Sequence, residues 1–139
     1  MLKKKKGYLI NSRISSCVNV GFPQNENEII ATGIYHVAGV CGYLEKSSIE
    51  KSGTVSGRII TKMFGAGGVV AFALDCNEIS EIYSKFNVSI ESIRFSGGLI
   101  GYYSLSATNQ SFIVEDSYST SSVYAENFSG GFFGKNYFL

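Results

Sequence analysis

The amino-acid sequence predicts an all-β fold, a short right-handed parallel β-helix of about four coils, on three observations. A unit of glycines and bulky apolar residues recurs through the chain. It reads Ala38-Gly39-Val40-Cys41-Gly42-Tyr43, then Gly67-Gly68-Val69-Val70-Ala71-Phe72, then Ser96-Gly97-Gly98-Leu99-Ile100-Gly101-Tyr102, then Gly130-Gly131-Phe132-Phe133-Gly134-Lys135, with a truncated copy at Gly7-Tyr8-Leu9. Aligned on the third small residue (Gly7, Gly42, Ala71, Gly101, Gly134) the copies are 35, 29, 30 and 33 residues apart, an interval that suits one solenoid coil better than the hairpins of an antiparallel barrel. The third observation is composition. Sixteen Gly, one Pro and 45% hydrophobic against 17% charged residues fit many short strands joined by tight turns and exclude a disordered chain.

A second anchor fixes the register. Ile14-Ser15-Ser16 follows Gly7, Ile49-Glu50-Lys51 follows Gly42, Ile79-Ser80-Glu81 follows Ala71 and Val114-Glu115-Asp116 follows Gly101, always in the same order. Length differences fall between the anchors, in the polar run 22–28 and in 105–111, both expected to be surface loops. Each unit therefore reads as strand, turn, strand, turn and a third apolar segment. Period-two alternation places Ile49, Lys51, Gly53 and Val55 opposite Glu50, Ser52 and Thr54. A helix has room only at 75–83, for one or two turns. The glycine pair is explained by a sharp turn where neighbouring coils crowd. Stacking at about 4.8 Å would then line up Val40, Val69, Leu99 and Phe132 as an apolar ladder.

Ahead of the repeats, residues 1–6 form a basic tail, leaving 7–139 as one domain. Lys3 to Lys6 resemble the front of a secretory signal, but Gly7-Tyr8-Leu9-Ile10-Asn11-Ser12-Arg13 turns polar at once. No stretch approaches the ~18 apolar residues of a membrane span. A cytoplasmic protein without membrane contact is expected. Formal charge is +1, so a nucleic-acid partner is not expected, except through Lys3–Lys6. Cys17, Cys41 and Cys76 lack metal-ligand spacing and read as buried free thiols.

Gly98-Leu99-Ile100-Gly101 spells the signature of the GLUG repeat, and Asp116-Ser117-Tyr118-Ser119-Thr120-Ser121-Ser122-Val123 resembles that family's downstream stretch. The fourth unit matches best, and the likeness runs in register over nearly the whole chain. The resemblance implies right-handed β-helical rods of the kind found in tandem in large bacterial surface proteins, with a role in adhesion.

No residue set points to catalysis, a cofactor or a metal. His36 is the single histidine and reads as structural. No phosphate-cradling glycine loop is present, because Gly97-Gly98-x-x-Gly101 is followed by no helical pattern. Ser16, Lys51, Glu81 and Asp116 align in one outward column, where Glu81 and Asp116 could flank a sugar on adjacent coils as a carboxylate pair does; a charge ladder is the simpler reading. The aromatic residues carry more. Tyr102, Tyr103, Tyr118, Phe132, Phe133, Tyr137 and Phe138 crowd the last third, and a solenoid end without a cap exposes apolar interior. These seven are the expected protein-interaction residues, with a homodimer through the C-terminal end the simplest arrangement. The expected function is a non-enzymatic, protein-binding inhibitor or adaptor that docks onto a larger host complex, such as a phage- or mobile-element-encoded protein of the anti-defence or anti-CRISPR type. The alternatives are an adhesion-type repeat segment of a bacterial surface protein and a carbohydrate-active β-helix enzyme.

Overall fold

The structure, a computed structural model, describes residues 8–21, 28–76, 78–107 and 110–138, apart from the side chains of Phe86, Asn136, Tyr137 and Phe138. The regular elements of these residues are all strands, stacked as a β-solenoid of about four coils. The first coil runs through β1 (Tyr8–Ile10), β2 (Arg13–Ser15), β3 (Val18–Asn19), β4 (Ile29–Gly33) and β5 (His36–Ala38). The second has β6 (Cys41–Glu45), β7 (Ser48–Glu50), β8 (Gly53–Thr61) and β9 (Gly65–Gly67). The third has β10 (Val70–Leu74), β11 (Glu78–Ser80), β12 (Tyr83–Ser92) and β13 (Phe95–Gly97). The fourth has β14 (Ile100–Leu105), β15 (Ile113–Glu115), β16 (Tyr118–Ser119), β17 (Ser122–Ala125) and β18 (Phe128–Gly130), and β19 (Phe133–Phe138) opens a fifth.

Like strands pair in parallel from coil to coil. The first sheet is β1-β6-β10-β14-β19 and the second β2-β7-β11-β15. In the third, β8 and β12 are continuous while the outer coils contribute the split strands β3 with β4 and β16 with β17; the fourth is β5-β9-β13-β18. Both sequence anchors hold in register: Tyr8, Tyr43, Phe72, Tyr102 and Lys135 are successive partners, as are Ile14, Ile49, Ile79 and Val114. The ladder Val40, Val69, Leu99, Phe132 is joined by backbone bonds of 3.0–3.1 Å.

Three expectations change. Residues 75–83 form no helix: β11 lies there, set between two corners. Leu105 ends β14 and is buried, so the inserted loop starts after it. The alternation through 49–55 does not persist, because Lys51 adopts φ 48° and turns the chain. Ile49, Ser52 and Thr54 are then interior and Lys51 is outside. Left-handed residues make the corner between the first and second sheets in the first three coils (Asn11, Lys46 and Asp75) and the corner between the second and third in all four (Ser16, Lys51, Glu81 and Asp116). A hydroxyl follows many of them and locks the corner. Ser47 Oγ donates to Glu45 O (2.7 Å) and accepts the Ser12 N–H (2.9 Å). Ser52 does the same between Glu50 O and the Cys17 N–H, and Ser117 between Glu115 O and the Ile82 N–H. One side chain thus satisfies its own coil and the next.

The glycine pair makes a waist. A Cβ on Gly39, Gly68 or Gly98 would overlap the hydroxyl of Thr54, Ser84 or Ser119 in the third sheet, and on Gly68 and Gly98 also the carbonyl oxygen of the next coil. Thr54 Oγ1 donates to Gly68 O at 2.6 Å across this constriction. The core is accordingly divided in two. Leu44, Ile49, Val69, Val70, Ile79, Ile82, Leu99 and Ile100 fill the lobe of the first and second sheets. Val37, Ile59, Ala66, Val88 and Ile90 fill the smaller lobe between the third and fourth.

Candidate interaction surfaces

The seven expected interaction residues do not gather in one place. Tyr103 is 1% exposed and stacks on Phe112 with centroids 3.6 Å apart. It is an interior residue, and burial raises its phenol pKa. It is therefore withdrawn as a surface candidate. Phe133 is half-buried and packs against the same core. Phe132 is exposed beside it, with ring centroids 6.4 Å apart. Tyr118 lies at another corner and Tyr102 on the outer face of the first sheet. The backbones of Tyr137 and Phe138 belong to β19, and their side chains lie outside the described residues, as do Lys3–Lys6.

Exposed apolar side chains instead mark the two ends of the stack. On the last coil these are Ile113, Tyr118, Tyr124 and Phe128, with Phe132 in the turn that follows. The four strands involved, β15, β16, β17 and β18, are outermost in their sheets, so backbone donors and acceptors face outward beside the apolar groups. On the first coil Tyr8, Ile10, Val18, Val20, Ile29, Ile34 and Tyr35 are likewise exposed.

The charged column forms a second surface. Lys51, Glu81 and Asp116 line a shallow groove of about 480 Å³ with Ile82, Tyr83 and Tyr118. Their left-handed backbones fix these side chains on one edge. Tyr83 and Tyr118 stack at 5.8 Å and 15°, and Gly53 leaves the space over which the Tyr83 ring lies.

A third surface was not singled out from the sequence. The first and fourth sheets fold back on each other after the glycine turn, and their rings meet in one stripe along the stack. Tyr8, Tyr43, Phe72 and Tyr102 descend the first sheet with centroids 4.9–5.2 Å apart. His36, Phe64, Phe95 and Phe128 descend the fourth at 5.4–5.7 Å. Phe64 takes the level where Gly65 has no side chain. His36 stacks on Phe72 at 5.2 Å and Phe95 meets Tyr102 at 5.2 Å, closing the seam. Lys135 Nζ lies 5.2 and 4.8 Å from the Phe95 and Phe128 centroids, and Arg94 lies 5.2 Å from that of Phe64. Burial lowers the His36 pKa. Burial also raises the Tyr43 phenol to about 12, helped by its 3.0 Å hydrogen bond to Glu45. The signal was present in the sequence as an aromatic after the third small residue in four of the five copies, with Lys135 in the fifth; missing was the knowledge that the two sheets touch.

Two of the three cysteines match their expected setting. Cys41 and Cys76 are buried, and burial raises both thiol pKa values, that of Cys41 to about 11. Cys17, in the first coil, is exposed. Among the described residues no group of His, Cys, Asp and Glu could hold a metal ion, and no helix is long and apolar enough to cross a membrane. The class defined by fold and surface is a parallel β-solenoid with apolar ends and an aromatic flank. Comparison with known protein families, curated proteins and solved structures finds no match to this chain.

Proposed function

We propose that the chain is a non-enzymatic protein-binding solenoid, an inhibitor or adaptor that docks end-on against a protein surface. One observation carries the reading: Ile113, Tyr118, Tyr124, Phe128 and Phe132, each 42–62% exposed, sit together on the terminal coil. Apolar area of this kind, beside unpaired strand edges, gains free energy when another protein covers it. Self-association of two such ends is the simplest case, giving a closed two-fold dimer. Light scattering should find a dimer for the full chain and a monomer for the double variant Tyr124→Ser/Phe132→Ser. A full-length monomer that captures no partner through this end would sink the proposal.

A second reading has its own support, the groove with Glu81 and Asp116 beside the Tyr83–Tyr118 pair. Carboxylates on adjacent coils, about 4.8 Å apart in backbone, fall near the roughly 5–9 Å spacing of sugar-cleaving pairs. Screening oligosaccharides for hydrolysis with the wild type and a Glu81→Gln/Asp116→Asn variant tests it. Identical activity in the two proteins would remove the groove from consideration.

A further inference from the structure

We infer that the aromatic flank is a second, separate docking surface, and that it takes an extended acidic-and-apolar segment of another protein. The argument starts from ring orientation. Phe72 and Tyr102 are parallel within 8°, and Tyr43 and Phe72 within 27°, at about ring-stacking distance. Rings stacked on one another cover each other's faces and turn their edges outward. An aromatic edge is the electropositive part of the ring, so the stripe presents positive edges in a row.

Two formal charges at the stripe, Lys135 and Arg94, are positive, and one, Glu45 beside Tyr43, is negative. Lys135 and Arg94 rest over Phe95, Phe128 and Phe64. The ion pairs found among the described residues are Arg13 with Glu50 and Arg58 with Glu91, so neither cation of the stripe is in one. The acid at the stripe, Glu45, is engaged by the Tyr43 hydroxyl at 3.0 Å. Ring edges and cations therefore select carboxylates, and the partly exposed carbon of Tyr8, Tyr43, Phe72 and Phe128 selects apolar side chains between them. A nucleic acid would also pair with the cations, but its bases need open ring faces to stack on, and at the centre of the stripe Tyr43 and Tyr102 cover Phe72 on both sides. A segment lying along four coils at about 4.8 Å each needs roughly five or six extended residues at about 3.3 Å per residue.

This surface meets the apolar end at Phe128, and its test reads peptide binding, not self-association. The probe is a fluorescent peptide of about eight residues alternating Glu or Asp with Leu or Phe. The controls are the same peptide with Lys in place of each acid, and a thymidine oligonucleotide. Fluorescence anisotropy should show binding of the acidic peptide, weakening as salt rises, and little binding of either control. Arg94→Glu/Lys135→Glu should lower that affinity about tenfold or more and shift preference toward the basic peptide. Circular dichroism confirms the variant is folded, and Arg94→Gln/Lys135→Gln serves if it is not. Equal binding of acidic and basic peptides, tighter binding of the oligonucleotide, or indifference to the charge reversal would each overturn the proposal. The dimer test uses Tyr124→Ser/Phe132→Ser, residues of the end that lie outside the stripe, so either proposal can fail alone.

Discussion

The middle coils and the end coils are built from one repeat, yet the same positions have different fates. Ile49 and Ile79 are about 1% exposed or less, while their partner Ile14 in the first coil reaches 9% and Val114 in the last is only partly buried. In the column Val18, Gly53, Tyr83, Tyr118, the two end residues are each 48% exposed. Exposed large apolar residues in the middle coils are Met63 and Ile93; the remainder belong to the ends. Burial here depends on having a coil above and below, not on residue type. In a nearest-neighbour stack, stability concentrates in the centre and binding surface at the ends.

The comparison is sharpest in the core. Ile79→Ala removes a side chain enclosed by coils on both sides and should cost about 4 kcal/mol. Val114→Ala, on the outermost strand of the same ladder, should cost about 1 kcal/mol. Urea unfolding of both variants decides it, and equal losses would mean that the last coil is as tightly held as the third.

Next in size is the glycine waist. A methyl on Gly98 would collide with Gly131 O and Ser119 Oγ, whereas one on Gly131 meets nothing within 4 Å. Gly98→Ala should therefore destabilise by about 3 kcal/mol through backbone displacement, and Gly131→Ala by less than about 0.5 kcal/mol. The same chemical change, one coil apart, measures what the neighbouring coil contributes.

Much of this architecture was legible because a solenoid writes its geometry into sequence spacing. Gly42, Ala71, Gly101 and Gly134 align in the sequence and in the sheet, and so do Ile14, Ile49, Ile79 and Val114. The corners were not legible. Lys46, Lys51 and Glu81 adopt left-handed backbones that residue type does not announce, since glycine, asparagine or aspartate is the usual occupant. Each corner resets the inside-outside phase, so alternation counted through it misplaces Ser52 and Thr54. The surfaces were half legible. An apolar C-terminal end followed from aromatic crowding, but Tyr103 turned inward, and the aromatic stripe needs the contact between first and fourth sheets that no local pattern encodes.

The corners give the third prediction. A left-handed L-residue costs about 1–2 kcal/mol, and glycine removes that cost while adding about 0.5–1 kcal/mol of unfolded-state entropy. Lys51→Gly should stabilise the fold by about 0.5–1 kcal/mol, seen as a higher urea midpoint. Lys51→Ala, which keeps the Cβ in the same backbone, should leave the midpoint nearly unchanged. A drop on glycine substitution would show that the lysine side chain, not the backbone, holds the corner.

The smallest effect belongs to His36, at the boundary between end and middle coils. The rings of Tyr43, Phe64 and Phe72 surround it from β6, the turn before β9 and β10, and its Nδ1 is buried without a hydrogen-bond partner. Burial disfavours the imidazolium and lowers the pKa. The unfolded chain then binds the proton more readily, so this contribution is complete above the ordinary histidine value of about 6.5 and is lost as pH falls below it toward the folded value. The nearest titratable neighbour, Tyr43, with its phenol at about 12, stays neutral throughout this window. Stability measured from pH 7.5 to 5 should therefore decline in the wild type and decline less in His36→Phe, which keeps a ring on Phe72. Glu50, in the second coil but paired with Arg13 of the end coil, gives the comparison. The Arg13 guanidinium and then the Ser15 hydroxyl hold its pKa low, so its contribution persists through that window and falls away only below the carboxylate range. If His36→Phe shows the same slope as the wild type between pH 7.5 and 5, the titrating group lies elsewhere, and the ring seam opens enough to hydrate the imidazolium.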